Sequence, residues 1–327
     1  FVASVLPVWT LLQPRDYLSS FMLYAGVGGM LVAIILGSLG TFEPVTVDGT
    51  TYSALETQLP AFTGFFSSAL GPIFPFLFVT IACGTISGFH SLVSSGTTAK
   101  QLNTESDARV IGYGGMLGEG LLATTAVAAL AIVATTEFSS GLAGALANFP
   151  TGGGVMLTSL GVPASYGIPF IGLVFVSFLL TSTDTAVRLG RYMFEEIIGT
   201  PETSTQKTAT NRYVSAGIQC VLAYVLVARG TWESLWPLFG SANQLLAALA
   251  LLTATIWLVN WDDDKQLLST GVPLVLMFAV TIVALLWIGL LRAPTGALNA
   301  GTTAEAISLA VQSILSLVLA GLALALA

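Results

Sequence analysis

An α-helix needs about 20 predominantly apolar residues to cross the hydrocarbon core of a bilayer. This chain supplies such runs at 18–40, 72–95, 111–135, 167–186, 214–228, 241–259, 272–291 and 304–327. Residues 1–12 read as the closing turns of one more, which gives eight full crossings and part of a ninth. Only 8% of the residues are charged and 54% are hydrophobic, where a soluble globular domain carries about 25% charged residues. The expected fold is all-α: a polytopic membrane helix bundle making a single transmembrane domain of residues 1–327. Because it opens in mid-helix and closes in an apolar run, the chain is expected to be a fragment, truncated at its N-terminus.

Basic residues gather in cytoplasmic loops, and that rule tests the helix count. With these spans, Arg15, Lys100, Arg109, Arg188, Arg191, Lys207, Arg212 and Lys265 fall on one side. Only Arg229 and Arg292 fall on the other. One miscounted helix would scatter the charges downstream, so the asymmetry supports the count. The opposite loop, 41–70, carries Glu43, Asp48 and Glu56 and no basic residue. The formal net charge is -7, and no basic tract suggests nucleic acid as a partner. The acidic excess and the run Asp262-Asp263-Asp264 hint at a salt-adapted source.

A single histidine rules out a His-rich metal site or bis-His haem; carboxylates alone could still build a metal site, but no metal is expected. Cys83 and Cys220 sit in apolar runs and read as small buried residues without a disulfide. Trp232, Trp236, Trp257 and Trp261 read as an aromatic belt. Residues 150–166 (PTGGGVMLTSLGVPASY) are Gly-rich and uncharged, either a short re-entrant element or an interfacial cap. Residues 188–198 read as an amphipathic helix at the cytoplasmic interface, and 199–211 as a flexible loop.

One span is unlike the rest. The stretch 71–101 opens as a membrane helix and turns polar midway, in a run of Gly, Ser, Thr and one histidine. Non-helical backbone survives at membrane depth only where it is packed in protein or lines a wet cavity. Gly84 and Gly88 are four apart, which suits either close helix packing or a break that frees backbone groups for a substrate. Ser87, Ser91, Ser94, Ser95, Thr97 and Thr98 follow, able to satisfy loosened backbone or to offer ligands. His90 among them is the side-chain type that titrates near neutrality, so it either accepts a coupling proton or is satisfied by a neighbouring helix.

Ionisable groups within a membrane default to a functional hypothesis. Glu119, between Gly118 and Gly120, is therefore a second candidate for a proton or cation site, or else an interfacial glutamate. Asp184 and Arg188, four apart at a helix end, read as an intrahelical ion pair at the interface. Asn243 and Gln244 serve either as glue between helices or as cavity lining. No GxxxxGK[ST] stretch is present to cradle phosphates, so no ATP-driven mechanism is indicated.

PRDYLSSF (14–21), FPFLFVTIACGTISGFHSLVSSGTTAKQL (74–102), IGYGGMLGEG (111–120), TDTAVRLGRY (183–192) and LWPLFGSANQLLAALAL (235–251) together resemble the carbon starvation protein A family. The resemblance runs from Pro7 to about Asn260, with the motifs in the family's order. It implies a multi-pass transporter of a prokaryotic inner membrane, associated with uptake of peptides and, in some members, pyruvate. It also implies broken helices and the inverted-repeat fold of the amino acid–polyamine–organocation superfamily. Members begin with further membrane helices that have no counterpart here.

The leading expectation is a secondary active transporter for peptides or a small carboxylate such as pyruvate. H⁺ or Na⁺ would be the coupling ion, with no other cofactor. An intramembrane enzyme is an alternative, since His90 lies near Ser87, Ser91 and Ser94, but no placed acid completes a triad. A channel or sensor subunit is a third reading. The expected partners are the cargo and the lipid bilayer, and the sequence sets no oligomeric state.

Overall fold

The computed structural model describes residues 1–67, 71–81, 86–134, 141–228, 232–260 and 264–326. Gly84, Cys83, Arg229, Trp261, Asp262 and Asp263 lie outside the described residues. In chain order the helices are α1 (Val2–Val5), α2 (Leu12–Leu36), α3 (Ile73–Thr80), α4 (Gly88–Gly96), α5 (Asp107–Val133), α6 (Leu142–Leu157) and α7 (Ala164–Ile198). They continue with α8 (Ser204–Ala209), α9 (Arg212–Ala228), α10 (Trp232–Val259), α11 (Asp264–Trp287), α12 (Ala293–Leu298) and α13 (Thr303–Leu326). Two short antiparallel hairpins complete the described elements, one pairing Val45 with Tyr52 and one pairing Phe66 with Pro72.

Among the described residues six helical stretches are long and apolar enough to cross a membrane. They are Leu12–Thr41, Asp107–Val133, Ala164–Ile198, Trp232–Val259, Leu267–Leu298 and Thr303–Leu326. Each coincides with an expected span, and the expected short one is the apolar helix Arg212–Ala228. The remaining span, 72–95, is divided between α3 and α4. The contacts group the chain into two units, Phe1–Thr63 with Ser106–Gly230, and Gly64–Glu105 with Thr231–Ala327.

In the first unit, Val27, Met30, Ala129, Phe149, Met156 and Ile171 belong to one buried core shared by α2, α5, α6 and α7. α6 is antiparallel to α7: Phe149 stacks on Phe175 with ring centres 5.3 Å apart, and Gly154 lies against Ile168. α6 is parallel to α5, because Gly152 packs on the Ala129 carbonyl while Leu142 and Leu146 share a cavity with Leu122 and Ala126. That cavity, of about 250 Å³, is almost wholly apolar.

Two consecutive parallel helices fix the geometry. Leu142 is ten residues before Gly152, so it lies level with residue 119 of α5, about 21 Å short of the end at Val133. In a hydrocarbon core about 30 Å thick, α6 therefore begins at depth and climbs back to the side where α5 ends. Of the two readings of the Gly-rich stretch, the re-entrant one describes this helix, but it starts at Leu142 rather than Pro150.

Four other expectations are corrected. Residues 1–12 hold only the single turn Val2–Val5, since Leu6 is extended (φ -74°, ψ 157°) ahead of Pro7. Residues 188–198 are no separate interfacial helix but the end of the 35-residue α7. The loop 199–211 contains α8, started by a capping box between Thr203 and Gln206. Asp184 does not pair with Arg188. It binds Arg15 of α2, while the Arg188 guanidinium donates to the carbonyls of Ala3 and Leu6, both at 2.7 Å.

The last result has a physical reason. Arg188 is 3% exposed, and the carbonyls around the end of α1 have no intrahelical partner of their own. A delocalised cation with a fork of donors suits them, which leaves the Asp184 carboxylate to Arg15. Removing that carboxylate should cost more than removing the loosely paired Glu195, which lies 3.8 Å from Arg191. Asp184→Asn is expected to destabilise by about 2 kcal/mol, the scale of a hydrogen bond to a charged group. Glu195→Gln should cost less than about 0.5 kcal/mol. Thermal unfolding of the two purified variants checks the order.

Candidate functional site

The second unit carries the discontinuous span. Thr80 closes α3 by turning its hydroxyl onto the Phe76 carbonyl at 2.7 Å. The backbone at Ser87 is extended (φ -105°, ψ 123°), so the helix beginning at Gly88 is a new one. A new helix needs partners for its first N–H groups, and a helix end needs partners for its last carbonyls. At membrane depth water is not there to supply them.

α10 supplies them, from the middle of its 28 residues. The Asn243 side-chain oxygen accepts from the Phe89 N–H at 2.7 Å, and its amide lies 3.3–3.4 Å from the Ser87 hydroxyl. Gln244, the next residue, donates its amide N–H to the Phe78 carbonyl in the last turn of α3. Two successive amides thus hold the two ends of the interruption. The fit is close in both directions: Gly88 lies against the Asn243 carbonyl and the Ala247 amide, and Gly240 against the Val79 carbonyl. A side chain at either position would overlap backbone atoms.

The candidate residues separate on this framework. Ser87, Gly88, Asn243 and Gln244 are brought together, and Gly84 is outside the described residues. Ser91, Ser94, Ser95 and Thr97 spend their hydroxyl protons on their own helix, on the carbonyls of Gly88, Ser91, Leu92 and Val93. Their protons are therefore engaged, although their lone pairs stay available to a donor or a cation. Thr98 opens a short 3₁₀ turn ending at Lys100. His90 is exposed on α4, one turn from the exposed Ser94.

Glu119 belongs to the first unit. It precedes Leu122 by three residues and Ala126 by seven, on the stripe of α5 that faces α6. By the register described above it lies level with Leu142, at the first turn of the re-entrant helix. A carboxylate is favoured beside a helix N-terminus by about 0.3–1 kcal/mol.

Four of the five family-like segments pair in the folded chain, two within each unit. The segment 74–102 is held by 235–251 through Asn243 and Gln244, and 14–21 by 183–192 through the Arg15–Asp184 ion pair. The chain matches the family described as "Carbon starvation protein CstA" over residues 1–143 and 134–284. The chain belongs to the CstA family. It is 33% identical to the "Peptide transporter CstA" of Bacillus subtilis over 327 residues, covering 88% of this chain and 52% of that protein. It is 32% identical to the "Peptide transporter CstA" of Helicobacter pylori strain J99, covering 86% and 47%.

A third relative is the "Pyruvate/proton symporter BtsT" of Escherichia coli, 30% identical with 87% and 49% covered. The chain thus spans about half the length of these CstA-family relatives. No solved structure matches it. Membership of this bacterial family and the six helices, among the described residues, that are long and apolar enough to cross a membrane make it a multi-pass inner-membrane protein.

Sequence reading found the amides and Ser87 but missed Gly240. A glycine in a Gly-rich membrane sequence carries no mark of close approach until its neighbour is known. The signal was its spacing, since Gly240 stands one helical turn before Gln244, the length over which α10 lies along the end of α3.

Proposed function

We propose that this chain forms the broken-helix part of a secondary active transporter that imports peptides or a small carboxylate such as pyruvate, driven by an ion gradient. The observation that carries the reading is the span divided between α3 and α4 and held on both sides of the division by α10 amides. In lipid an interruption leaves backbone groups to be satisfied by other means, and transporters use such breaks to bind cargo or ions. The relatives' names, peptide transporter and pyruvate/proton symporter, point to the same classes of cargo. The cargo crosses chemically unchanged, which makes the protein a carrier rather than an intramembrane enzyme.

The test is accumulation of radiolabelled pyruvate and of di- and tripeptides by proteoliposomes containing the full-length protein, with the label recovered unmodified. Saturable uptake against a gradient supports the reading, and downhill flux alone would make the protein a channel. Glu119 and His90 are the groups proposed to carry a coupling proton. Glu119→Gln is expected to lower proton-driven uptake at least tenfold and to flatten its pH dependence, more than His90→Ala does. If both variants keep the wild-type rate and pH profile, neither group carries the proton.

A further inference from the structure

Two buried oxygens near the end of α3 have no hydrogen-bond partner among the described residues. Gln244 is 1% exposed and Thr281 is 0% exposed. With its N–H bonded to the Phe78 carbonyl, the Gln244 amide keeps its oxygen buried, and no described residue donates to it. The Thr281 hydroxyl is equally unpartnered. Its behaviour departs from that of Thr80, Thr125, Thr253 and Thr255, whose hydroxyls each fold back onto a carbonyl four residues earlier.

The two oxygens also lie at one level. α10 and α11 are antiparallel, and their register is set by the hydrogen bond between Thr255 and Thr270, 3.0 Å long. Gln244 is eleven residues from Thr255, and Thr281 is eleven from Thr270. Eleven residues are three turns of helix, so Gln244 and Thr281 again face one another across the two helices. Leu238 and Leu285 meet in one buried cluster a little further along, as that register requires. On the other flank Val79 and Val280 share a cluster, which brings α11 to the last turn of α3.

We propose that Gln244 and Thr281, with the closing carbonyls of α3, form a site for a dehydrated monovalent cation, Na⁺. The inference rests on the transporter reading for its purpose and names an ion bound in addition to the proposed coupling proton. Four physical points select the ion. The ligands are neutral oxygens that neither take up nor release a proton near neutral pH, so the site is not one for H⁺. Divalent Ca²⁺ and Mg²⁺ call for carboxylates, and neither residue has one. The C-terminal pole of α3 bears partial negative charge, which favours a cation. Neither oxygen is exposed to water, and a bare Na⁺ is smaller than either a water molecule or a bare K⁺.

The experiment needs no cargo. Full-length protein in nanodiscs is titrated with ²²Na⁺, and its melting temperature is followed as Na⁺ replaces choline at constant ionic strength. Wild type and Thr281→Ser should bind Na⁺ saturably and melt higher in Na⁺ than in choline or K⁺. Thr281→Val keeps the shape and removes the oxygen, so it should lose at least tenfold in Na⁺ affinity and melt no higher in Na⁺ than in choline.

Three results would overturn the site: wild type that neither binds ²²Na⁺ nor responds to it, Thr281→Val that binds as well as wild type, or Thr281→Val that melts higher in both salts. The last would mean that the two oxygens are simply an unsatisfied polar pair. Uptake separates this inference from the one beneath it. A protein that transports without binding Na⁺ refutes the site alone, and one that binds Na⁺ without transporting refutes the transporter reading alone.

Discussion

Gly88→Ala is expected to abolish uptake and to lower the melting temperature of the purified protein more than any other single-methyl change in the second unit. The added carbon would overlap the Asn243 carbonyl oxygen, the Leu246 Cβ and the Ala247 amide nitrogen, two of them backbone atoms of α10. Side chains rotate out of the way cheaply, but a helix backbone moves only as a body. Overpacking a core costs about 1–3 kcal/mol and occasionally more, and here the cost belongs at the upper end. Separating α4 from α10 would also stretch the Phe89–Asn243 hydrogen bond, so the loss of transport should exceed what lower stability explains.

Gly271 is the contrast. It is helical, in the same unit, with open space where an added methyl group would stand, so Gly271→Ala should be neutral or raise stability by up to about 1 kcal/mol. Melting curves and uptake for both variants decide the matter. A Gly88→Ala protein that melts and transports like wild type would mean that α4 does not lie on α10.

How much of this was open to a reader of the sequence follows from which interactions are local. The spans could be read because lipid imposes one requirement on every residue of a crossing, and uninterrupted apolar length records it. α6 was misplaced at its start because its 16 residues, with three successive glycines and Pro150, are too short and too broken to register as a crossing. The interruption itself was legible, since Gly, Ser and Thr crowd where apolar residues should continue. What holds it was not. Asn243 and Gln244 stood out as amides in a membrane helix, but their partners lie more than 150 residues away in the chain.

Asp184 shows the opposite error. The i,i+4 rule offers it Arg188, yet Arg188 has carbonyls to satisfy in α1, and tertiary demand outweighs a helix-surface pairing worth a few tenths of a kcal/mol. Thr281 gave no sign in the sequence. A threonine in an apolar helix ordinarily bonds its own backbone, and only the structure shows that this one does not.

The second large effect concerns the amides themselves, and the two should fail differently. Asn243→Leu leaves the Phe89 N–H without an acceptor, and Gln244→Leu leaves the Phe78 carbonyl without a donor. An unsatisfied buried group costs about 1–3 kcal/mol, so each variant should fold, melt lower and lose at least tenfold in uptake. Hydrogen exchange tells them apart. Asn243→Leu should expose the Phe89 amide and speed its exchange severalfold or more, because the first turn of α4 then frays. Gln244→Leu removes a partner from a carbonyl, so the α4 amides should exchange as in wild type while α3 loosens. Asn243→Asp keeps an acceptor for Phe89 and should hold that amide protected whatever it does to transport. Because both amides secure the same interruption, the double variant should cost less than the two single losses added together. Once one end is loose, the other has less to hold. Equal exchange at Phe89 in wild type and Asn243→Leu would show that α10 does not hold the second half-helix, and strict additivity that the two ends are independent.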